Sequence, residues 1–372
     1  MLDILPDRVK STDAFKDLAD RLAELKRILL DKRAPRVAVV GRRGAGKSAL
    51  FNALVGAKVL PEGSVDTTKD FAWEQYTLSD GGTVDWLDTP GLGAGNLKAD
   101  RIGMLRDEFK TKRPDVIVFI HKASEVDSEV DATLDDLRQI VECTVDEGRP
   151  CEMLVVLNQV DGLPSPADVI PPYKPAKRDK IDTLAARMEE LLRNAQIEFK
   201  KVIPAASYFD DDCDLRFQID VVAMEIAGIV PSEALLDSVA SFKYRKLQKA
   251  VADKIINIFC VACSCVALLP IPMSDIIPLT ALQVLMITAI GYLGGKRLND
   301  VDVKEFIAAL GLLLAAATSA RQLVKIVIPI FGEGVSAAVA GATTKAIGMA
   351  AVAYYIDNES MEEVKRKFKL LK

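Results

Sequence analysis

The chain has 372 residues, half of them apolar and 6% aromatic, with a formal charge of −5. That length exceeds one ordinary core and makes two domains the default, while the apolar half excludes a disordered chain. From residue 226 onward 16 Lys and Arg face 12 Asp and Glu, against 32 and 41 before it, so no nucleic-acid partner is expected.

Residues 7–33 place Val9, Phe15, Leu18, Leu22, Leu25 and Leu29 three and four apart with charges between them. This predicts an amphipathic N-terminal helix, residues 1–33, that must dock on a partner the sequence does not name. From Arg36 to about Ser207, apolar runs of strand length alternate with helical stretches: Val37–Val40, Phe71–Leu78, Thr83–Leu87, Val116–Ile120, Met153–Leu157 and Val202–Pro204. The fold class expected is α/β, a doubly wound and mostly parallel sheet over residues 34–225. Such sheets bind ligands at the carboxyl ends of their strands.

Three motifs fall at those ends. Gly41-Arg42-Arg43-Gly44-Ala45-Gly46-Lys47-Ser48 has the pattern G-x-x-x-x-G-K-[ST], after the strand Arg36–Val40 and before the helical run that opens at Ala49. Its glycines let backbone N–H groups wrap a polyphosphate at a helix N-terminus, Lys47 reaches the outer phosphates, and the Ser48 hydroxyl meets Mg²⁺. Asp88-Thr89-Pro90-Gly91 follows Thr83–Leu87; Asp88 is suited to hold Mg²⁺ through water, and the Gly91 N–H to sense a γ-phosphate. Asn158-Gln159-Val160-Asp161 ends Met153–Leu157, and Asp161 can accept from both N1–H and the 2-amino group of guanine, donors that adenine lacks.

The order GRRGAGKS, DTTKD, DTPG, NQVD, PAASY resembles the translation-factor-related GTPases, especially their Era-like branch, over roughly residues 34–225. The resemblance implies GTP or GDP with Mg²⁺ as ligands. It implies that Thr68, in Asp66-Thr67-Thr68-Lys69-Asp70, closes on Mg²⁺ and the γ-phosphate, and that Ala205-Ala206-Ser207 lies against the guanine. Departures stand beside it. Gln159 replaces the usual lysine, Leu92 stands where many relatives hold a water-positioning glutamine, Gly44 replaces the asparagine of potassium-activated relatives, and Arg42-Arg43 sits inside the phosphate loop. Arg43 is a candidate for neutralising transition-state charge; the competing reading turns both arginines to solvent or to a neighbouring molecule. His121, the only histidine, reads as a loop residue after its strand.

Between Val160 and Gln196 a proline-rich loop (Pro164, Pro166, Pro171, Pro172, Pro175) and a helix over Lys180–Asn194 read as an insertion beside the base site. Beyond Val221 the period is helical throughout, giving an apolar all-α domain over residues 226–372. Two runs of 20 uncharged residues meet at Asp275, each interrupted by proline, and Phe306–Ala320 adds 15 more. Buried core, interfacial hairpin and membrane span compete for them. Cys260, Cys263 and Cys265 lie in this apolar run with no histidine near, as small buried hydrophobes rather than metal ligands. The six cysteines form no paired framework and no signal peptide opens the chain, so a reducing, cytoplasmic setting is expected, with an inner membrane face as the peripheral alternative.

Residues 245–356 resemble an uncharacterised helical domain that follows Era-like GTPase domains in bacterial proteins, and the whole layout is similar to immunity-related and dynamin-like GTPases. These resemblances imply a GTP-hydrolysing switch whose helical domain responds to nucleotide, with a GTP-dependent homodimer or a membrane surface as partner. A nucleotide-regulated membrane-associated scaffold with negligible turnover, and an ATPase, are the alternatives.

Overall fold

A computed structural model of the chain describes residues 13–61, 72–78, 81–89, 99–127, 131–145, 151–164, 168–268, 276–296, 302–303, 305–306 and 337–370. It divides into two compact units, Arg33–Tyr244 and a helical unit made of Met1–Lys32 with Arg245–Lys372.

The first unit holds a six-stranded sheet: β1 (Arg36–Gly41), β2 (Trp73–Thr77), β3 (Thr83–Asp88), β4 (Val116–Lys122), β5 (Met153–Asn158) and β6 (Lys201–Pro204), in the order β2-β3-β1-β4-β5-β6. Only the β2–β3 pair is antiparallel. The six expected runs are these six strands. The central ones are apolar nearly throughout because helices cover both faces of a parallel sheet, whereas β2 carries Glu74 and Gln75 outward, as suits an edge. Its helices are α2 (Lys47–Val55), α3 (Ala99–Thr111), α4 (Asp131–Glu142), α5 (Pro175–Asn194), α6 (Ile219–Ile229) and α7 (Ser232–Ser241). Phe51 of α2 seats its ring against Trp86 of β3 at 4.8 Å, both buried, and fixes the phosphate-loop helix to the sheet.

The sheet unit extends past the boundary expected after residue 225. Thr83 Oγ1 donates to Asp237 Oδ2 of α7 at 3.0 Å, and Tyr244 OH donates to the Ala53 carbonyl at 2.6 Å. These helices bury Val222, Ile226, Leu236 and Val239 in the first unit, a choice of core that helical periodicity alone does not reveal.

The helical unit contains α1 (Asp13–Leu29), α8 (Arg245–Leu268), α9 (Ile276–Leu293), α10 (Ala337–Ala351) with a π-helical extension over Val352–Ile356, and α11 (Met361–Leu370). Here α1 finds the partner its pattern requires. It packs on α8, with Leu25 and Ile28 buried and Lys254 paired to Glu24 at 3.6 Å. Of the apolar runs, α8 buries Ile255, Phe259, Ala262 and Cys263, and α9 buries Met286, Ile287, Ile290 and Leu293. Pro278 does not break its run. It lies in the first turn of α9, where its missing N–H has no intrahelical acceptor. Among the described residues no helix is long and apolar enough to cross a membrane. Pro270, Pro272, Asp275 and residues 307–320 lie outside them.

Candidate nucleotide site

Strand β1 delivers the chain to a tight turn whose shape depends on two glycines. A Cβ at Gly41 would stand 2.3 Å from the Ile120 carbonyl oxygen of β4, and one at Gly46 would stand 2.3 Å from Asn158 Nδ2. Gly46 also has φ 97°, the left-handed value that glycine adopts without strain, and it caps α2. Lys47 and Ser48 therefore open the helix at its positive end, with Ala49 half-buried behind them.

Lys47 Nζ donates to the carbonyls of Gly41 and Arg42 at 3.3 and 3.4 Å and stands 3.9 Å from Asp88 Oδ1. That carboxylate oxygen is buried and accepts no hydrogen bond among the described residues. Burial, with Glu74 adding and Lys47 opposing, lifts the Asp88 carboxyl to about 6. Asp88 pairs with Val39 across the β1–β3 ladder, which sets it beside the phosphate loop, and Thr89 locks the exit by donating its N–H and hydroxyl to the Val39 carbonyl at 3.1 and 3.0 Å. An unsatisfied buried carboxylate oxygen 3.9 Å from the ammonium of a lysine that opens a helix fits a hydrated Mg²⁺.

Asn158 ends β5 and ties the site together. Its Nδ2 donates to the Ala45 carbonyl at 2.9 Å, and its Oδ1 accepts from Ser207 Oγ at 2.8 Å. Gln159 takes φ 63° and donates Nε2 to the Gly44 carbonyl at 2.8 Å, so this departure from lysine still reaches the phosphate loop. Asp161 follows in a 3₁₀ turn, Val160–Gly162, half-exposed, its carboxyl pushed above the ordinary value chiefly by burial. The structure thus brings Gly41, Gly44, Ala45, Gly46, Lys47, Ser48, Asp88, Asn158, Gln159, Asp161 and Ser207 to one edge of the sheet.

Over residues 36–159 the sheet unit is similar to P-loop GTPase domains. Residues 36–159 match the family model described as 50S ribosome-binding GTPase. The tRNA modification GTPase MnmE of Aquifex aeolicus is 34% identical over 127 residues, covering 34% of this chain and 26% of that protein. MnmE of Synechococcus sp. (strain JA-3-3Ab) is 24% identical over 290 residues, covering 70% of this chain and 58% of that one. The chain thus spans between about a quarter and three-fifths of the length of these relatives. Era solved with MgGDPNP and a segment of 16S ribosomal RNA shares 18% identity over 54% of this chain and 58% of its own, with a TM-score of 0.38.

Other expected residues take different places. Ala206 exchanges both main-chain hydrogen bonds with Phe217, its N–H at 3.2 Å and its carbonyl at 3.0 Å, so its amide is engaged within the protein. Arg43 is exposed at the tip of the phosphate loop and Arg42 half-buried. His121 is a strand residue rather than a loop residue, 1% exposed near the end of β4, and burial pushes its pKa below the ordinary value. Thr68 and Gly91, with Leu92, lie outside the described residues.

Two residues were missed by reasoning from motifs. Asn52, fully buried in α2, accepts from the N–H groups of Val59 and Leu60 and donates to the Leu60 carbonyl at 2.8 Å, anchoring the segment that leads towards Thr68. A buried asparagine in an otherwise apolar helical run was its one signal. Lys177, 2% exposed in the first turn of α5, left none.

Proposed function

We propose that this chain is a GTP-driven switch: it binds Mg·GTP at the edge formed by Gly41–Ser48, Asp88 and Asn158–Asp161, hydrolyses it, and uses its helical unit as the output. The observation that carries the reading is Asp88 Oδ1, buried without a hydrogen bond among the described residues, 3.9 Å from Lys47 Nζ. Lys47 serves the outer phosphates, and Asp161 selects guanine. Ser48, Asp88 and Thr68 would hold Mg²⁺, which neutralises phosphate charge when bound. Thr68 and Gly91 are the proposed γ-phosphate sensors, and Arg43 is the proposed catalytic cation, its exposure at the loop tip leaving it within reach of a ligand. Bonds that these sensors make to the γ-phosphate, and lose on hydrolysis, bias the two states of such a switch.

The chain's partners under this reading are a second copy or a lipid surface. Leu285 and Met349, 43% and 44% exposed on α9 and α10, support an apolar contact of that kind. They also favour the second reading, a nucleotide-regulated scaffold with negligible turnover. Nucleic acid is outside the proposal because residues 1–225 carry 41 acidic against 32 basic side chains. Three measurements test it: the nucleotide released on denaturing the purified protein, GTP turnover with and without Mg²⁺, and sedimentation or liposome flotation in GDP and in a non-hydrolysable GTP analogue. Release of adenine nucleotide sinks the GTP reading. Absent turnover leaves the scaffold, and unchanged oligomer size and lipid binding in both states remove the output.

A further inference from the structure

A lysine buried in the first turn of a helix sits against the helix dipole and far from water, so its charge must be met locally. At Lys177 it is met by main chain. Nζ donates to the carbonyl of Asp161 at 2.7 Å and to that of Asp168 at 2.6 Å, and it stands 4.6 Å from the centre of the Tyr173 ring. The Asp168 carboxylate in turn accepts the Lys174 N–H at 2.7 Å, closing the loop ahead of α5. Tyr173 packs on Phe217 at 4.8 Å between ring centres, and Phe217 is the residue that exchanges hydrogen bonds with Ala206. One ammonium therefore joins the Asp161 turn to the proline-rich insertion, and ring contact carries the same brace to the loop that bears Ser207.

We infer that Lys177 is the positioning residue for guanine selection, holding the Val160–Gly162 turn so that the Asp161 carboxylate meets both donors of the base at once. This rests on Asp161 as the guanine acceptor. Two hydrogen bonds to a planar base need a fixed carboxylate; a turn free to rotate keeps one and loses the other. The Lys177 ammonium is buried and occupied by main-chain carbonyls. It acts on the angle at which Asp161 is presented, and hence on discrimination more than on binding through the phosphates.

The test compares GDP with IDP, whose hypoxanthine lacks the 2-amino group, on the full-length protein. In Lys177→Met the GDP-over-IDP affinity ratio should fall about tenfold, with most of the loss on GDP. Lys177→Arg, which keeps the charge and donors, should retain part of the ratio. A purely structural lysine would lower the melting temperature and weaken both nucleotides alike, leaving the ratio unmoved; that result in a folded Lys177→Met protein overturns the inference. Should Lys177→Met not fold, Lys177→Gln, whose amide NH₂ still donates but without charge and at shorter reach, takes its place: a fallen ratio supports the inference and an unmoved one overturns it. Asp161→Asn is the control: if it leaves the parental preference for guanine unchanged, Asp161 is not the acceptor and the reading beneath the inference fails separately.

Discussion

Asp88 links the proposed metal site to stability, and its pH dependence has a definite sign. Burial raises its carboxyl to about 6, whereas the unfolded chain releases the same proton near 3.9. The fold therefore holds the proton more tightly than the unfolded chain does. Ionisation of Asp88 destabilises the metal-free fold, by nothing below about pH 4, progressively between 4 and 6, and fully above 6. Two pKa units correspond to about 3 kcal/mol. Asp88→Asn removes the ionisation at nearly constant volume, so in EDTA at pH 8 the variant should be more stable than the parent by up to about 3 kcal/mol. At roughly 2–4 °C per kcal/mol for a domain of this size, that is about 6–12 °C in Tm, shrinking towards zero near pH 4. With Mg·GDP the order reverses, because the metal draws on the carboxylate charge that the amide lacks. Mg²⁺ affinity of the parent should weaken about tenfold per pH unit below 6. Thermal scans between about pH 4.5 and 8, with and without Mg·GDP, and Mg²⁺ titrations against a fluorescent GDP analogue read both effects. An asparagine variant less stable than the parent at pH 8 in EDTA, or a Mg²⁺ affinity that is flat from pH 5 to 7, would refute the assignment.

Asp161→Asn should weaken GTP binding by about 2–3 kcal/mol and turn preference towards xanthine nucleotides, whose 2-oxo group can meet the amide N–H; competition binding checks this, and equal ATP and GTP affinity in the parent sinks it. Asn158→Ala strands the Ala45 carbonyl and the Ser207 hydroxyl, both buried, and should reduce stability by about 1–3 kcal/mol per orphaned group in urea unfolding while also weakening GDP. Lys47→Ala or Ser48→Asn should abolish Mg·GTP binding, whereas Arg43→Ala should keep it and slow single-turnover hydrolysis at least tenfold; an unchanged rate returns Arg43 to the surface. Leu285→Asp, at an exposed position, should leave Tm nearly unchanged and remove GTP-dependent flotation or self-association, while Met286→Asp, in the core of the helical unit, should unfold that unit; loss of folding in both would place Leu285 in permanent core.

The parts of this fold legible in the sequence are those where chemistry and secondary structure occupy the same few residues. The stretch Gly41–Ser48 shows its glycines, its lysine and its flanking strand and helix together, so the loop is legible as one unit. His121 went astray at a boundary: the apolar run ends at Ile120, yet β4 continues through His121 and Lys122 because the ladder to Leu157 and Asn158 continues. The helices at 219–229 and 232–241 run across the boundary expected after residue 225. Their pattern states that one face is buried, and only the contacts of Asp237 and Tyr244 say against what.

The braces were the least legible because they bind side chain to main chain. Asn158 to Ala45, Gln159 to Gly44, Asn52 to Leu60 and Lys177 to Asp161 each use a carbonyl that every residue possesses, so the partner leaves no mark in the sequence. The same property explains how Gln159 can stand in for lysine. What the phosphate loop draws on there is an N–H donor of sufficient reach at a left-handed position, and an amide meets that need without a charge. What it forgoes is a cation at that position. Under the proposed function, fixing the guanine then falls more heavily on Asp161, and Asp161 is the residue whose backbone the buried ammonium of Lys177 holds in place.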